Sequence, residues 1–583
     1  MTKRILAAAM RNLGFLCIAG VLLYCVIHAF DPPRLNWGDS ASDYNAMTAG
    51  RNFQKYGFLA LKLTPHVLDP AVMTTADSAL IYTHYPQLPD VMNGVLRTAF
   101  GMTDLVQFRF VALLFSFSAL IFVYRLIAMY WSRDVAQIAL GLWVVNPLWI
   151  QHADYLHHLP YASFFGFGSL YFLATYLGGG GKRRDLALSG VFMFFVFLAS
   201  YDFWIFTPLL AALITFGHTR RVSAHAARTL GVLAICAVCA LFCKWGTNAW
   251  VLGGLSAFVH DMRFQLVERA TNKAVKVHYA DGVWPTAYGR IERFFSLLLF
   301  PVLLFWLTLP ALRRRWQKIM PGLEHGVVNP ILILFAALPF LAVFTELWIG
   351  QYYPTLLVLP FYAIGSAALA VLLARSGRIW PTRIGILIVG VLFANSFVEN
   401  LSFDKAYFDR SAIASLGANL DTLAEPGQQI LTDHVFDAAY RYYFSHNTVA
   451  LFLNPPARYE PMIRYYADPR LPRVAPARGA LFVHHKHLTD ELYDKGYYYI
   501  LGRAGLWGPW GNPEEYRSEL DTFIAARDSE LLARVAEHGD KIVDTKFYEI
   551  WRLRPVVVET NTTLAALHFA PLKHETHLAK VER

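Results

Sequence analysis

The stretch VALLFSFSALIFV, Val111–Val123, carries no charged residue, no proline and no glycine. Counted with its flanks, it reaches the roughly 20 mostly apolar residues that a helix needs to cross a bilayer's hydrocarbon core. Val191–Ala199, Ile331–Phe344 and Ile384–Ala394 are equally free of charge. Such runs predict an α-helical polytopic membrane protein, because water can satisfy neither their side chains nor an unpaired backbone within lipid.

The composition of the whole chain agrees. Of 583 residues, 56% are hydrophobic and 16% are charged, against about 25% charged in a typical soluble domain. The net charge of +10 resembles a nucleic-acid signal, but the Lys and Arg residues gather in short links between apolar runs. That is the pattern of the positive-inside rule, and no nucleic-acid partner is expected. The five cysteines, Cys17, Cys25, Cys236, Cys239 and Cys243, all fall in apolar segments. They read as small buried hydrophobes.

Threading by that rule starts with a cytoplasmic N-terminus bearing Lys3, Arg4 and Arg11, and a retained anchor from about Leu13 to Phe30. A long external segment, about 31–107, follows. Lys182–Arg184 and Arg220–Arg221 flank the stretch 186–217, so it should cross twice, as two short helices turning near Tyr201-Asp202. A second external segment covers about 251–293. Arg313–Arg315, then Arg375, Arg378 and Arg383, return to the inside. About eleven helices result over residues 1–399, with the remainder, 400–583, outside. There, charge rises and short strand-like runs (429–431, 449–452, 480–483, 497–501, 550–553) alternate with helix-like stretches such as 529–537. They predict a soluble, extracytoplasmic α/β domain. His484, His485 and His487 read as its surface residues. A multi-pass protein of a bacterial inner membrane is the expected setting.

Polar residues on the external side are the candidates for chemistry. Trp37-Gly38-Asp39-Ser40-Ala41-Ser42-Asp43-Tyr44 follows the first helix and continues to Ala49, Arg51-Asn52 and Gly57 with amphipathic spacing. Tyr82-Thr83-His84-Tyr85-Pro86-Gln87-Leu88-Pro89 comes next, then Phe100-Gly101 and Arg109. Further on are Asn146-Pro147 with His152-Ala153-Asp154, then Tyr201-Asp202-Phe203-Trp204, and Gln351-Tyr352-Tyr353-Pro354. In order and in side of the membrane, these elements resemble the polytopic glycosyltransferases of the GT-C fold, in the branch of protein O-mannosyltransferases and aminoarabinose transferases. The resemblance covers roughly residues 10–400. It departs from the family at the acidic site. The family usually has Asp-Glu, whereas Asp39 precedes Ser40, and spacing to Arg51-Asn52 puts the family Asp near Ser42. Either Asp39 or Asp43 could be its equivalent.

The resemblance implies an enzyme that moves a sugar from a polyprenyl-phosphate-linked donor to an acceptor hydroxyl of a glycan, lipid or protein, with inversion. Asp39 or Asp43 would be the general base. Arg109, Arg51 or Arg97 would meet the leaving phosphate. His84, Asp154, Asp202, Tyr352 and Tyr353 would line the substrate site, with membrane lipid around it. Each has a plainer reading: Asp39 and Asp43 as helix caps, Arg109 as an interfacial anchor, Asp154 as a helix-end carboxylate. His84, His152, His157 and His158 could gather a divalent metal with Asp154, but interfacial hydrogen bonding is the simpler role, so no cofactor is assigned. A flippase of lipid-linked intermediates and an inactive GT-C-like envelope assembly protein are the alternatives. No internal repeat of the transporter kind is seen.

Overall fold

The computed structural model describes residues 2–30, 40–67, 81, 83, 85–178, 181–219, 223–270, 288, 291–292, 294–317, 330–343, 353–376, 378–403, 410–424, 428, 430–433, 448–450, 459–468, 479–486, 517–546 and 548–556. It divides into two compact units, Met1–Tyr407 and Phe408–Arg583.

The first unit is helical. In chain order its described helices are α1 (Thr2–His28), α2 (Ser40–Tyr56), α3 (Leu88–Phe100), α4 (Leu105–Tyr130), α5 (Arg133–Val144), α6 (Pro147–His152), α7 (His158–Gly178), α8 (Arg183–Ala199), α9 (Asp202–Thr219), α10 (Ala224–Val251), α11 (Leu255–Ala270), α12 (Leu299–Gln317), α13 (Pro330–Val343), α14 (Leu359–Arg375) and α15 (Ile379–Phe403). A 3-10 turn, Tyr353–Val358, leads into α14. Among the described residues, four segments are long and apolar enough to cross a membrane: Leu105–Tyr130, Ala224–Val251, Thr355–Arg375 and Ile379–Asn400. Their packing differs. The apolar window of Thr355–Arg375 is 89% buried within the protein, that of Ile379–Asn400 only 17%. The former is the heart of the unit. The latter presents Leu387 and Phe397 outward, which suits a lipid-facing helix.

Local signals explain the boundaries. The stretch 186–217 breaks at Ser200-Tyr201 into α8 and α9. Phe100-Gly101 is a helix stop: Gly101 has φ +65° and its N–H donates to the Arg97 carbonyl. This is a left-handed C-cap that glycine adopts without strain. Asp104 and Gln107 then form a reciprocal capping box that starts α4. Helix α5 stops at Val144, and a short helix, α6, follows it. Asn146 caps α6 through the Leu148 N–H, and Pro147 occupies its first turn. Helices α2 and α3 meet at two glycines. A Cβ at Gly94 would lie 2.8 Å from the Cβ of Phe53, and one at Gly50 would lie 3.3 Å from Asn93. Only glycine lets these two helices come so close.

The second unit holds a five-stranded sheet in the order β2-β1-β3-β5-β4: β1 Ile430–Thr432, β2 Thr448–Ala450, β3 Leu481–His485, β4 Gly539–Asp544 and β5 Tyr548–Leu553. Strand β1 is parallel to β2 and β3, while β5 is antiparallel to β3 and β4. Helix α16 (Arg410–Leu423) lays Leu416 and Leu420 on Ile430, Leu481, Val483 and Ile550. Helix α17 (Tyr459–Tyr466) packs on α18 (Arg517–His538), whose Leu531 and Val535 are buried. The expected strand at 497–501 and His487 lie outside the described residues. His484 and His485 are not surface residues: both are buried. Strand β3 is central in the sheet, and all five of its residues are buried, so both its faces are covered.

Candidate functional site

Helix α2 brings Asp43 into the interior of the first unit. Its carboxylate Oδ1 accepts the Leu156 N–H at 2.9 Å, and the side chain is 3% exposed. Asn93 of α3 donates to the Leu156 carbonyl at 3.4 Å. The turn between α6 and α7 is thus held at Leu156 from both sides. Beside it, Arg109 lies 3.8 Å from the Asp154 carboxylate and donates to the Ala29 carbonyl at 3.2 Å. The ends of α1, α4 and the turn are tied together by that one guanidinium.

The other half of the turn is aromatic and basic. His157 and His158 face each other, Nδ1 to Nδ1, at 2.5 Å, so one ring donates and the other accepts. Burial, then the neighbouring His158, hold His157 well below the usual histidine range. His158 Nε2 lies 3.3 Å from the Asp202 carboxylate at the start of α9. Tyr85 stacks on His158 and meets His157 edge-on, with ring centroids 5.5 and 5.2 Å away. The polar break between α8 and α9 therefore faces the same turn as Asp43.

Two charged residues missed in the sequence complete the cluster. Asp90 of α3 and Lys244 of α10 are both buried and feel each other's charge. Burial raises the Asp90 carboxyl to about 7, with Lys244 opposing the shift. Lys244 Nζ donates to Asn248 Oδ1 at 3.1 Å, Asn248 donates to the Thr83 carbonyl, and the Thr83 hydroxyl meets Asp261 of α11 at 3.2 Å. Tyr161 of α7 lies within electrostatic reach of both Asp90 and Asp43. The available signal was Lys244 itself: a lone lysine in a 28-residue apolar helix is costly in lipid unless a cavity or a partner receives it.

The remaining candidates fall elsewhere. Arg97 is buried between α2, α3 and α4, against the Met47 sulfur, the Thr103 carbonyl and the Phe108 ring. Arg51 is half-buried on α2. Asp39, His84 and Tyr352 lie outside the described residues, as does the side chain of Tyr353. Among the described residues, His152, His157, His158 and Asp154 do not converge as one set of metal ligands; His152 Nδ1 instead pairs with the Leu148 carbonyl. Next to the turn lies a small cleft lined by Ser116, Trp143, Trp149, His152, Phe203 and Leu357.

No protein-family model matches the chain, and no curated protein sequence does. Solved structures do match in fold. The oligosaccharyltransferase of Archaeoglobus fulgidus, tethered to an acceptor peptide containing the NVT sequon, is similar with a TM-score of 0.50 at 13% identity, over 85% of this chain and 72% of its own. AglB from the same organism, in complex with an inhibitory peptide and a dolichol-phosphate, gives 0.50 at 12% identity, over 84% and 71%. ArnT from Cupriavidus metallidurans, bound to undecaprenyl phosphate, gives 0.51 at 13% identity, over 92% and 97%. This chain has the GT-C fold.

Proposed function

We propose that this GT-C-fold chain is a membrane-embedded glycosyltransferase that moves a sugar from a polyprenyl-phosphate donor to an acceptor hydroxyl on the outer face, with inversion. The observation that carries the reading is Asp43, an acidic side chain from the first external segment, buried and hydrogen-bonded at the α6–α7 turn. Around it the fold gathers residues far apart in sequence: Tyr85, Asp90, Asp154, His158, Asp202 and Lys244. All of them come from segments that the charge rule threads to one side or to the outer end of a helix.

The chemistry follows from the groups present. Asp43 takes the proton of the acceptor hydroxyl, whose oxygen attacks the anomeric carbon. The C–O bond to the lipid phosphate breaks, and the phosphate leaves as an anion. Arg109 and Lys244 are the cations that would meet it. Asp154 and Asp202 hold Arg109 and His158 in place. The similar structures bound to dolichol-phosphate and undecaprenyl phosphate support a lipid-phosphate donor.

The test uses the full chain purified into lipid nanodiscs. It is supplied with a panel of radiolabelled polyprenyl-phosphate sugars and with envelope extract as acceptor source. Label moving from lipid to a second molecule is expected for at least one donor. Label that stays on the polyprenyl carrier for every donor, or that only changes leaflet in sealed vesicles, overturns the proposal.

A further inference from the structure

A second cluster of ligand-type side chains lies in the C-terminal unit, and the proposed transfer reaction makes no use of it. Asp433 follows the end of β1, His484 is on β3, and Asp528 is on α18. The sheet sets the first two. Strands β1 and β3 are parallel, with Thr432 opposite Val483, so the next residue of each strand falls at the same sheet edge. Both carboxylate oxygens of Asp433 accept the His485 N–H, at 3.2 and 3.0 Å, and its Oδ2 meets His484 Nδ1 in a direct hydrogen bond. Helix α18 supplies the third group. Asp528, Leu531 and Val535 share one helical face, and burial of the two apolar residues turns that face inward. This brings Asp528 Oδ1 to 3.7 Å from His484 Nδ1. Among the described residues, that oxygen is buried and accepts no hydrogen bond.

We propose that Asp433, His484 and Asp528 bind one divalent transition-metal ion of the zinc class. One imidazole nitrogen and two carboxylate oxygens are a donor set that suits zinc, manganese or iron better than calcium or magnesium, which favour oxygen alone. The spacing fits. Tetrahedral bonds of about 2.0–2.2 Å place ligand atoms roughly 3.3 Å apart, and these three lie within 4.8 Å of one another. Binding requires the proton shared by His484 and Asp433 to leave and Asp433 Oδ2 to draw back. Glu549, directly across from His484 on β5, adds negative charge. It is already engaged by Lys541 and Lys486, so it shapes the field rather than completing the ligand set. The backbone bonds to Asp433 fix its orientation, as outer-shell contacts do at established metal sites.

The full-length protein in detergent, stripped with a chelator, is titrated with Zn²⁺, and bound metal is counted after gel filtration. One equivalent is expected in the wild type and in Asp43→Asn. Affinity should drop about 100-fold in Asp528→Asn and in His484→Gln, with far-ultraviolet circular dichroism confirming that both are folded. Zinc-edge X-ray absorption on the wild type keeps the test decisive should either variant unfold. It should show nitrogen and oxygen ligands including imidazole. Since all five cysteines precede residue 244, sulfur in the first shell would place the ion elsewhere. Absence of stoichiometric zinc in the wild type, sulfur ligation, or binding unchanged in both folded variants overturns the proposal and leaves the cluster an internal hydrogen-bond network.

Discussion

Replacing Asp43 in two ways separates its two roles. The carboxylate both accepts the buried Leu156 N–H at 2.9 Å and, in the proposed reaction, takes a proton. Asp43→Asn keeps an oxygen for Leu156 but abolishes the base. A hydrogen bond to a charged group is worth about 1.5–3 kcal/mol, a neutral one about 0.5–1.5, so Asn should cost about 1 kcal/mol of stability. Asp43→Ala leaves the N–H unsatisfied at a fully buried turn, a cost of about 1–3 kcal/mol. For activity the order changes. Loss of a general base lowers the rate about 10²–10⁴-fold, or about 3–5 kcal/mol of barrier, in both variants alike. Melting temperatures in nanodiscs and transfer rates from a radiolabelled donor are measured on the same preparations. The expected outcome is a near-native melt with at least 100-fold slower transfer for Asn, and a lowered melt with equally slow transfer for Ala. An Asn variant that transfers within about threefold of wild type while Ala fails would show that Asp43 only pins the turn, and the catalytic reasoning would be wrong.

Other consequences are equally open to measurement. Asp90 in the folded state titrates at about 7, against about 3.9 unfolded. Between those values Asp90 binds more protons in the folded chain than in the unfolded one, so its contribution to stability should fall as pH rises from about 4 to 7. Asp90→Asn should flatten that slope in melts recorded across pH. Lys244→Met should lower kcat for transfer about 10²-fold, as removal of a charge-stabilising donor does, and an unchanged kcat would remove it from the site. Gly94→Leu should force α2 from α3, because its Cβ alone would meet Phe53 at 2.8 Å; a lowered melt with slower transfer is expected, whereas Gly57→Ala, with no atom near its Cβ, strains only a φ of +88° and should not displace α3. In the second unit, Tyr548→Phe removes a hydroxyl bonded to Ser415 and Asn419 at 2.7 and 2.8 Å. It should destabilise by about 1–2 kcal/mol, read as an earlier unfolding step, with no effect on metal content.

Much of the helical unit is written locally. The uncharged runs mark its helices, Phe100-Gly101 is a C-cap, Asn146-Pro147 is a cap followed by a first-turn proline, and the chain breaks at Ser200-Tyr201, beside the turn expected near Tyr201-Asp202. Asp43, Asp154, Asp202 and Arg109 could be singled out because they fall in polar stretches on the expected external side, in the order of the family that the sequence resembles. Their partners could not. Asp90 lies 154 positions from Lys244 (244 − 90), and nothing in a single sequence couples residues so far apart. The same limit hid the C-terminal cluster. His484 reads as a surface residue of the soluble domain, yet every position of β3, polar or apolar, is buried. Asp528 entered only through the face that Leu531 and Val535 give α18.

The central claim is that the acceptor oxygen attacks the anomeric carbon and the lipid phosphate departs with its bridging oxygen. A donor carrying ¹⁸O in the bond between sugar and phosphate tests this directly, with mass spectrometry of both products after incubation with the purified chain and acceptor. Direct transfer leaves the label entirely in the released polyprenyl phosphate. Label retained on the sugar, which requires cleavage at phosphorus, or donor recovered intact, as a flippase would leave it, contradicts the account.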